Sequence, residues 1–203
     1  MSQAPQSGFY RRGKFEICLA IPPTQSVCGM EISMRNIILI GMPGSGKSTV
    51  GVVLAKKLGY KFIDSDLIIQ EKYNATLERL IEKYGDAGFI KLENDVNAAI
   101  DVKKTVIATG GSAVYGQQAM EHFKEIGTII YLDVSKEELE ERLGSLKERG
   151  VVSNGKTTIE EIFEDRRNLY KKYADMTINL NNKILRESVE EIYDLVVNKD
   201  NNY

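Results

Sequence analysis

Eight residues, Gly41-Met42-Pro43-Gly44-Ser45-Gly46-Lys47-Ser48, fit the phosphate-binding pattern G-x-x-x-x-G-K-S/T. In such a loop the glycines let backbone N–H groups turn inward around a polyphosphate, and the N-terminus of the next helix adds partial positive charge. Lys47 then reaches the β- and γ-phosphates, and the Ser48 hydroxyl can ligate Mg²⁺. Gly44, Ser45, Gly46, Lys47, Ser48 and Thr49 are therefore expected to bind a nucleoside triphosphate. Three more groups could serve an acceptor. Asp64 and Asp66, two apart, are expected to project on one side of a strand end, where they could hold hydrated Mg²⁺ and orient a hydroxyl. Gly110-Gly111-Ser112 closes another apolar run, and Arg166-Arg167-Asn168-Leu169-Tyr170 lies further on. The bland alternatives are a ligand-free turn for the glycine loop and a helix N-cap, before a helix starting at Leu67, for Asp64 or Asp66.

These groups need elements to hold them. Ile37-Ile38-Leu39-Ile40, just before the glycine loop, reads as a buried parallel strand, and Thr49 to Leu58 carries apolar residues at helical spacing up to Gly59. Strands are expected at 36–41, 61–64, 105–109, 128–132 and 175–179. Helices are expected near 47–58, 66–101 in pieces, 116–125, 135–145, 158–172 and 185–198. The alternation specifies βαβ units, a mostly parallel sheet and helices on both faces, with ligands at the carboxyl ends of the strands. The stretch 144–157, with Arg149-Gly150 and Asn154-Gly155, lacks apolar periodicity and reads as a lid.

Residues 1–33 differ from the rest, with Pro5, Pro22 and Pro23, no lasting periodicity and an apolar patch, Ile17 to Ile21, too short for a signal-peptide core. Met34 directly precedes the first strand. The prefix reads as a disordered or non-native extension, with a docked arm as the alternative, and 34–203 as one domain. Formal net charge is −2, and no basic cluster offers the footprint that nucleic acid needs. No apolar stretch approaches the roughly 20 residues of a membrane span. Cys18 and Cys28 both lie in the prefix, so a reducing, cytoplasmic setting is expected. The single histidine, His122, has no His or Cys partner and reads as a surface residue without a role. A monomer is expected.

Taken together, Gly41 to Ser48, Asp64-Ser65-Asp66, Phe89 with Glu93, Gly110-Gly111, Arg149 and Arg166 with Leu169-Tyr170 resemble the shikimate kinase family in order and spacing over about residues 35–197. The resemblance implies a three-layer α/β P-loop kinase fold, with the loop-bearing strand central in a five-stranded parallel sheet. It implies transfer of the ATP γ-phosphoryl group, with Mg²⁺, to a hydroxyl of a small carboxylated ring. By the same resemblance Asp66 contacts the acceptor hydroxyls, Asp64 holds Mg²⁺ through water and Arg166, Gly110 and Gly111 face the acceptor. Lys47, Asp66 and Arg149 carry catalysis, Arg149 closing from the lid, and Arg142 stacks on adenine. Arg142 also follows Glu140-Glu141 and reads equally as part of a solvated face, as does Arg167.

Three positions depart from the family pattern. Residues 85–93 read G-D-A-G-F-I-K-L-E, so Ile90 stands where the family carries the arginine that grips the shikimate carboxylate. Lys91 is rotated by about 100° along a helix and is no obvious substitute, with a partial reach back by its flexible stem as the alternative. Ser112 stands for a third glycine, and Gly150 for a proline. Shikimate is the leading acceptor on family grounds. The alternatives are a kinase for a different polyol or sugar acid and a non-catalytic nucleotide-binding regulator.

Overall fold

The computed structural model describes residues 35–143, 152, 155 and 158–200. The prefix 1–33, most of the expected lid and its Arg149 lie outside the described residues. Five strands form one sheet: β1 (Asn36–Ile40), β2 (Lys61–Asp64), β3 (Thr105–Ala108), β4 (Gly127–Asp133) and β5 (Met176–Asn179). Their order is β2-β3-β1-β4-β5 with every pair parallel. The glycine loop therefore leaves the central strand, as expected.

Successive side chains of a strand point to opposite faces, and every residue of β1 is buried, so both faces of the sheet are covered. Helices α1 (Lys47–Leu58) and α7 (Leu185–Asp200) pack against each other. Helices α3 (Leu77–Asn97), α4 (Gln117–Ile126) and α6 (Ile159–Tyr173) gather around a short 3-10 turn, Ala113–Tyr115, that follows the Gly110-Gly111 strand end. The remaining helices are α2 (Ser65–Tyr73) and α5 (Lys136–Leu143). The main core joins β1, β3 and β4 with Leu54, Met120, Phe123, Tyr170 and Ile192, and a satellite core of Ile69, Leu80, Phe89, Leu92, Val96 and Val152 lies between α2 and α3.

The expected strands and most helices lie within two residues of their observed limits. The pieces expected over 66–101 are two helices, α2 and α3, and the second bends at Gly85 (φ 67, ψ 172) and ends at Asn97, leaving 98–101 outside it. A positive φ with extended ψ is a conformation that only glycine adopts at little cost, which is why the bend falls there.

The amino end of the sheet is tied by hydrogen bonds. Buried Asn36 donates from Nδ2 to the Val102 and Ile126 carbonyls (2.7 and 3.2 Å) and accepts from the Thr105 N–H (3.1 Å). Arg35 donates to the Lys124 and Gly127 carbonyls (3.0 and 3.1 Å). His122, expected at the surface, is half-buried and its Nε2 lies 2.7 Å from the Ile100 carbonyl. A carbonyl only accepts, so Nε2 carries the proton and the ring tethers α4 to the end of the segment after α3.

Candidate active site

Helix α1 begins directly after Gly46, whose left-handed backbone (φ 90, ψ 14) ends the loop without a side-chain cap. The N–H groups of the first turn are thus left to a ligand. The Ser45 hydroxyl is buried with no partner among the described residues. Lys47 is 8% exposed and donates from Nζ to the Gly41 and Met42 carbonyls, both at 2.8 Å. Burial lowers its pKa to about 8 against the opposing pull of Asp66. Uncapped amides, an orphaned hydroxyl and a desolvated ammonium around one turn fit a polyphosphate.

Asp64 and Asp66 are brought together, although not from one strand end as expected. Asp64 ends β2 and is itself the N-cap of α2, its Oδ1 accepting from the Asp66 N–H at 3.0 Å. The helix starts at Ser65, one residue before the expected 66 and two before the Leu67 of the N-cap alternative, which holds for Asp64, because this carboxylate accepts from the Asp66 amide in the first turn. Asp66 therefore sits in the first helical turn and lines the cavity. The Ser48 hydroxyl donates to Asp64 Oδ2 at 2.6 Å. Two hard oxygen donors in contact beside the phosphate loop fit Mg²⁺, which keeps several waters and takes few protein ligands.

One cavity of about 400 Å³ is lined by loop residues, Lys47 and Ser48 among them, and by Asp66, Phe89, Gly110, Ser112 and Arg166. The glycine wall is required by close approach. A Cβ on Gly110 would lie 2.2 Å from Glu93 Oε1 and 2.7 Å from Asp66 Oδ1, and one on Gly111 would lie 2.6 Å from the Pro43 ring and 3.0 Å from Arg166 Nη1. Arg166 is fully buried, with Nη2 donating to the Val152 carbonyl (2.6 Å) and its guanidinium over the Tyr115 ring (5.3 Å). Its Nη1 has no partner among the described residues. Tyr170 donates to the Gly111 carbonyl (2.7 Å) and stacks on Tyr131, so the R-x-x-L-Y segment both supplies the cation and braces the wall.

Burial, and then Asp64, raise the Asp66 pKa to about 6, with Lys47 opposing. Burial and then Asp66 push Glu93 up to about 8. A carboxyl that binds its proton more tightly in the folded chain loses stability as pH rises, from its unfolded pKa up to its folded one. For Glu93 that window runs from about 4.5 to 8, and for Asp66 from 3.8 to about 6. Melting temperature is therefore expected to fall between pH 5 and pH 8, by at most ~1.4 kcal/mol of stability per pH unit per group. Differential scanning calorimetry checks this. Glu93→Gln should fall less steeply, and an equal slope in the two proteins would remove Glu93 as the source.

A second cavity of about 220 Å³ lies on the other side of the loop, lined by Ser45, Gly46, Thr49, Arg142, Leu180 and Lys183 among others. It shares Gly46 and Thr49 with the first. Arg142 is exposed, pairs with Glu138 and donates to the Gly44 carbonyl at 3.3 Å. It is thus at once part of a charged helix face and a neighbour of the loop.

Ile90 is half-buried, packs on the satellite core and is not among the residues lining the cavity, while Lys91 is exposed and supplies no substitute cation. Arg167, expected to be solvated, is half-buried over the Phe163 ring at 5.6 Å. Ser112 was marked in the sequence only as the end of the glycine run, and neither Tyr115 nor the Leu180–Lys183 loop was marked at all. For the last the signal was its place after a strand end; for Tyr115, whose hydroxyl donates to Asp165, no signal was available.

A family model described as shikimate kinase matches residues 43–197. The shikimate kinase of Sulfurihydrogenibium sp. (strain YO3AOP1) is 36% identical over 160 residues, 78% of this chain and 96% of that protein. A solved structure of shikimate kinase from Acinetobacter baumannii in complex with shikimate is 33% identical, with a TM-score of 0.74 over 82% of this chain and 95% of that one. A gluconokinase from Sinorhizobium meliloti 1021 shares the fold at 16% identity, with a TM-score of 0.51 over 83% of this chain and 94% of that one.

Proposed function

The chain belongs to the shikimate kinase family, and on that premise we propose that it transfers the γ-phosphoryl group of ATP to a ring hydroxyl of shikimate. The observation that carries the reading is that phosphate loop and acceptor wall line one cavity. Gly44, Ser45, Gly46 and Thr49 hold the phosphates through backbone N–H groups, with Lys47 as the charged clamp. Ser48, and Asp64 through water, would hold Mg²⁺, which when bound would neutralise phosphate charge. Asp66 orients the acceptor hydroxyl and takes its proton as the oxygen bonds to phosphorus and the bond to the ADP leaving oxygen breaks. Arg166 Nη1, with Gly110 and Gly111, holds the acceptor; the part of Arg149, which lies outside the described residues, is the one the family resemblance implies. Arg142, Leu180 and Lys183 line the base site in the smaller cavity. No described helix is long and apolar enough to cross a membrane.

The second reading, a different polyol or sugar acid as acceptor, rests on Ile90, which leaves Arg166 and Lys47 as the cavity's only lining cations among the described residues. ATP consumption measured over shikimate, quinate and gluconate separates the two. Shikimate is expected to give the highest kcat/KM, and a clear preference for another acid would replace it. Ile90→Arg is expected to lower the shikimate KM about 10-fold or more, the worth of one charge-assisted pair. It should also lower the melting temperature by a few degrees through loss of satellite-core packing. An unchanged KM would mean that position 90 does not reach the acceptor in this chain.

A further inference from the structure

Two of the departures from the family pattern meet at one buried carboxyl. Glu93 is 1% exposed, lies one helical turn after Ile90 on α3, and accepts or donates one hydrogen bond, to Ser112 Oγ at 2.5 Å. Its other oxygen, Oε1, faces Asp66 across Gly110 and has no partner among the described residues. No described cation lies within ion-pair distance of it. The groups that act on it are Asp66 from α2, Lys47 from α1, Arg166 from α6 and the Ser112 hydroxyl. A sealed carboxylate opposite a second carboxylate, with an apolar side chain on the adjacent turn, is far more costly than the neutral acid.

We infer that Glu93 and Ser112 act as a neutral carboxyl–hydroxyl pair, in which Glu93 Oε2–H donates to Ser112 Oγ and the Ser112 hydroxyl is left to donate to the carboxylate of the acceptor. Ser112 lines the cavity next to Gly111, on which the free Arg166 Nη1 also bears. An oxyanion there would meet one cation and one neutral donor. With Glu93 ionised, the serine hydrogen turns to Glu93 Oε2 and the acceptor loses that donor. Oε1 remains a carbonyl in the neutral form, which softens its repulsion with Asp66. Glu93 is thus a positioning residue, working through Ser112. The inference rests on the reading of Arg166 and Ser112 as acceptor-side residues.

The test measures the shikimate KM against pH at saturating ATP, so that bound phosphate keeps Lys47 charged. The parent KM is expected to rise about 10-fold or more from pH 7 to above pH 9, as Glu93 ionises and the donor to a charged group is lost. Glu93→Gln should remove the rise, because its carboxamide does not titrate and still donates to Ser112. Ser112→Ala should show a raised KM already at pH 7, and no further rise. A flat parent profile, or a rise that survives in Glu93→Gln, would overturn the pair. Infrared spectroscopy without any acceptor gives an independent reading. The parent near pH 7 should show a protonated carboxyl band that disappears above pH 9 and is missing in Glu93→Gln. Its absence overturns the pair whatever the acceptor, while its presence without shikimate turnover supports the pair and rejects shikimate.

Discussion

Asp66→Asn is expected to lower kcat by about two to four orders of magnitude, the range set by loss of a positioned base, while the ATP dissociation constant changes by no more than about threefold. Asparagine keeps the size of the side chain, and the cap on α2 is Asp64 and not Asp66, so the helix start is preserved. What disappears is a carboxylate on the cavity wall, held close to Glu93 by Gly110. Its pKa near 6 suits a base that must be ionised at neutral pH yet still attract a proton. Turnover of the parent should therefore decline as pH falls through about 6, and this acid limb should vanish from what activity Asp66→Asn retains. Steady-state kinetics beside calorimetric ATP titration decides the matter. Weaker ATP binding with unchanged turnover of bound acceptor would move Asp66 to the nucleotide side.

The phosphate loop and the alternation of strands and helices were legible because both follow from local rules, whereas the central place of the loop-bearing strand came from the family resemblance. A continuous apolar run ending in G-x-x-x-x-G-K-S can only be a buried strand feeding a helix, and alternating elements leave few arrangements of a parallel sheet. The carboxylate pair was legible in identity but not in mechanism. Spacing of two suggested one strand face and left an N-cap as the alternative; Asp64 does cap α2 and Asp66 does not, a choice between the two that periodicity does not encode. Arg167 over Phe163 and His122 on Ile100 were hidden for a similar reason, since each depends on a partner supplied by the packing of the folded chain. The state of Glu93 was least legible. It depends on Ile90, Asp66, Ser112 and the seal around them at once, and three of those four lie on different elements.

Lys47→Met is expected to reduce ATP turnover about 100- to 1,000-fold, the usual cost of removing a preorganised donor from charge that develops in a water-excluded site. In the absence of nucleotide the ammonium is already committed to the Gly41 and Met42 carbonyls, which hold it at the base of the loop. Burial depresses its pKa to about 8, so it bears a charge at neutral pH at some cost. Arriving phosphates relieve that cost, which is why affinity for ATP should weaken as pH rises past about 8 in the parent and not in the variant. Folding should be little affected. Methionine fills the same channel and removes a poorly solvated charge, a change that is often neutral or favourable. Against this, two carbonyls lose their donor, which costs about 1–3 kcal/mol if water does not replace it. The two effects oppose each other, so the melting temperature should stay within about 5 °C of the parent. Calorimetry establishes that the variant is folded, and a coupled ADP-release assay then reads the loss. Turnover within about threefold of the parent in a folded variant would detach Lys47 from the phosphate chain and, with it, the whole nucleotide side of the cavity.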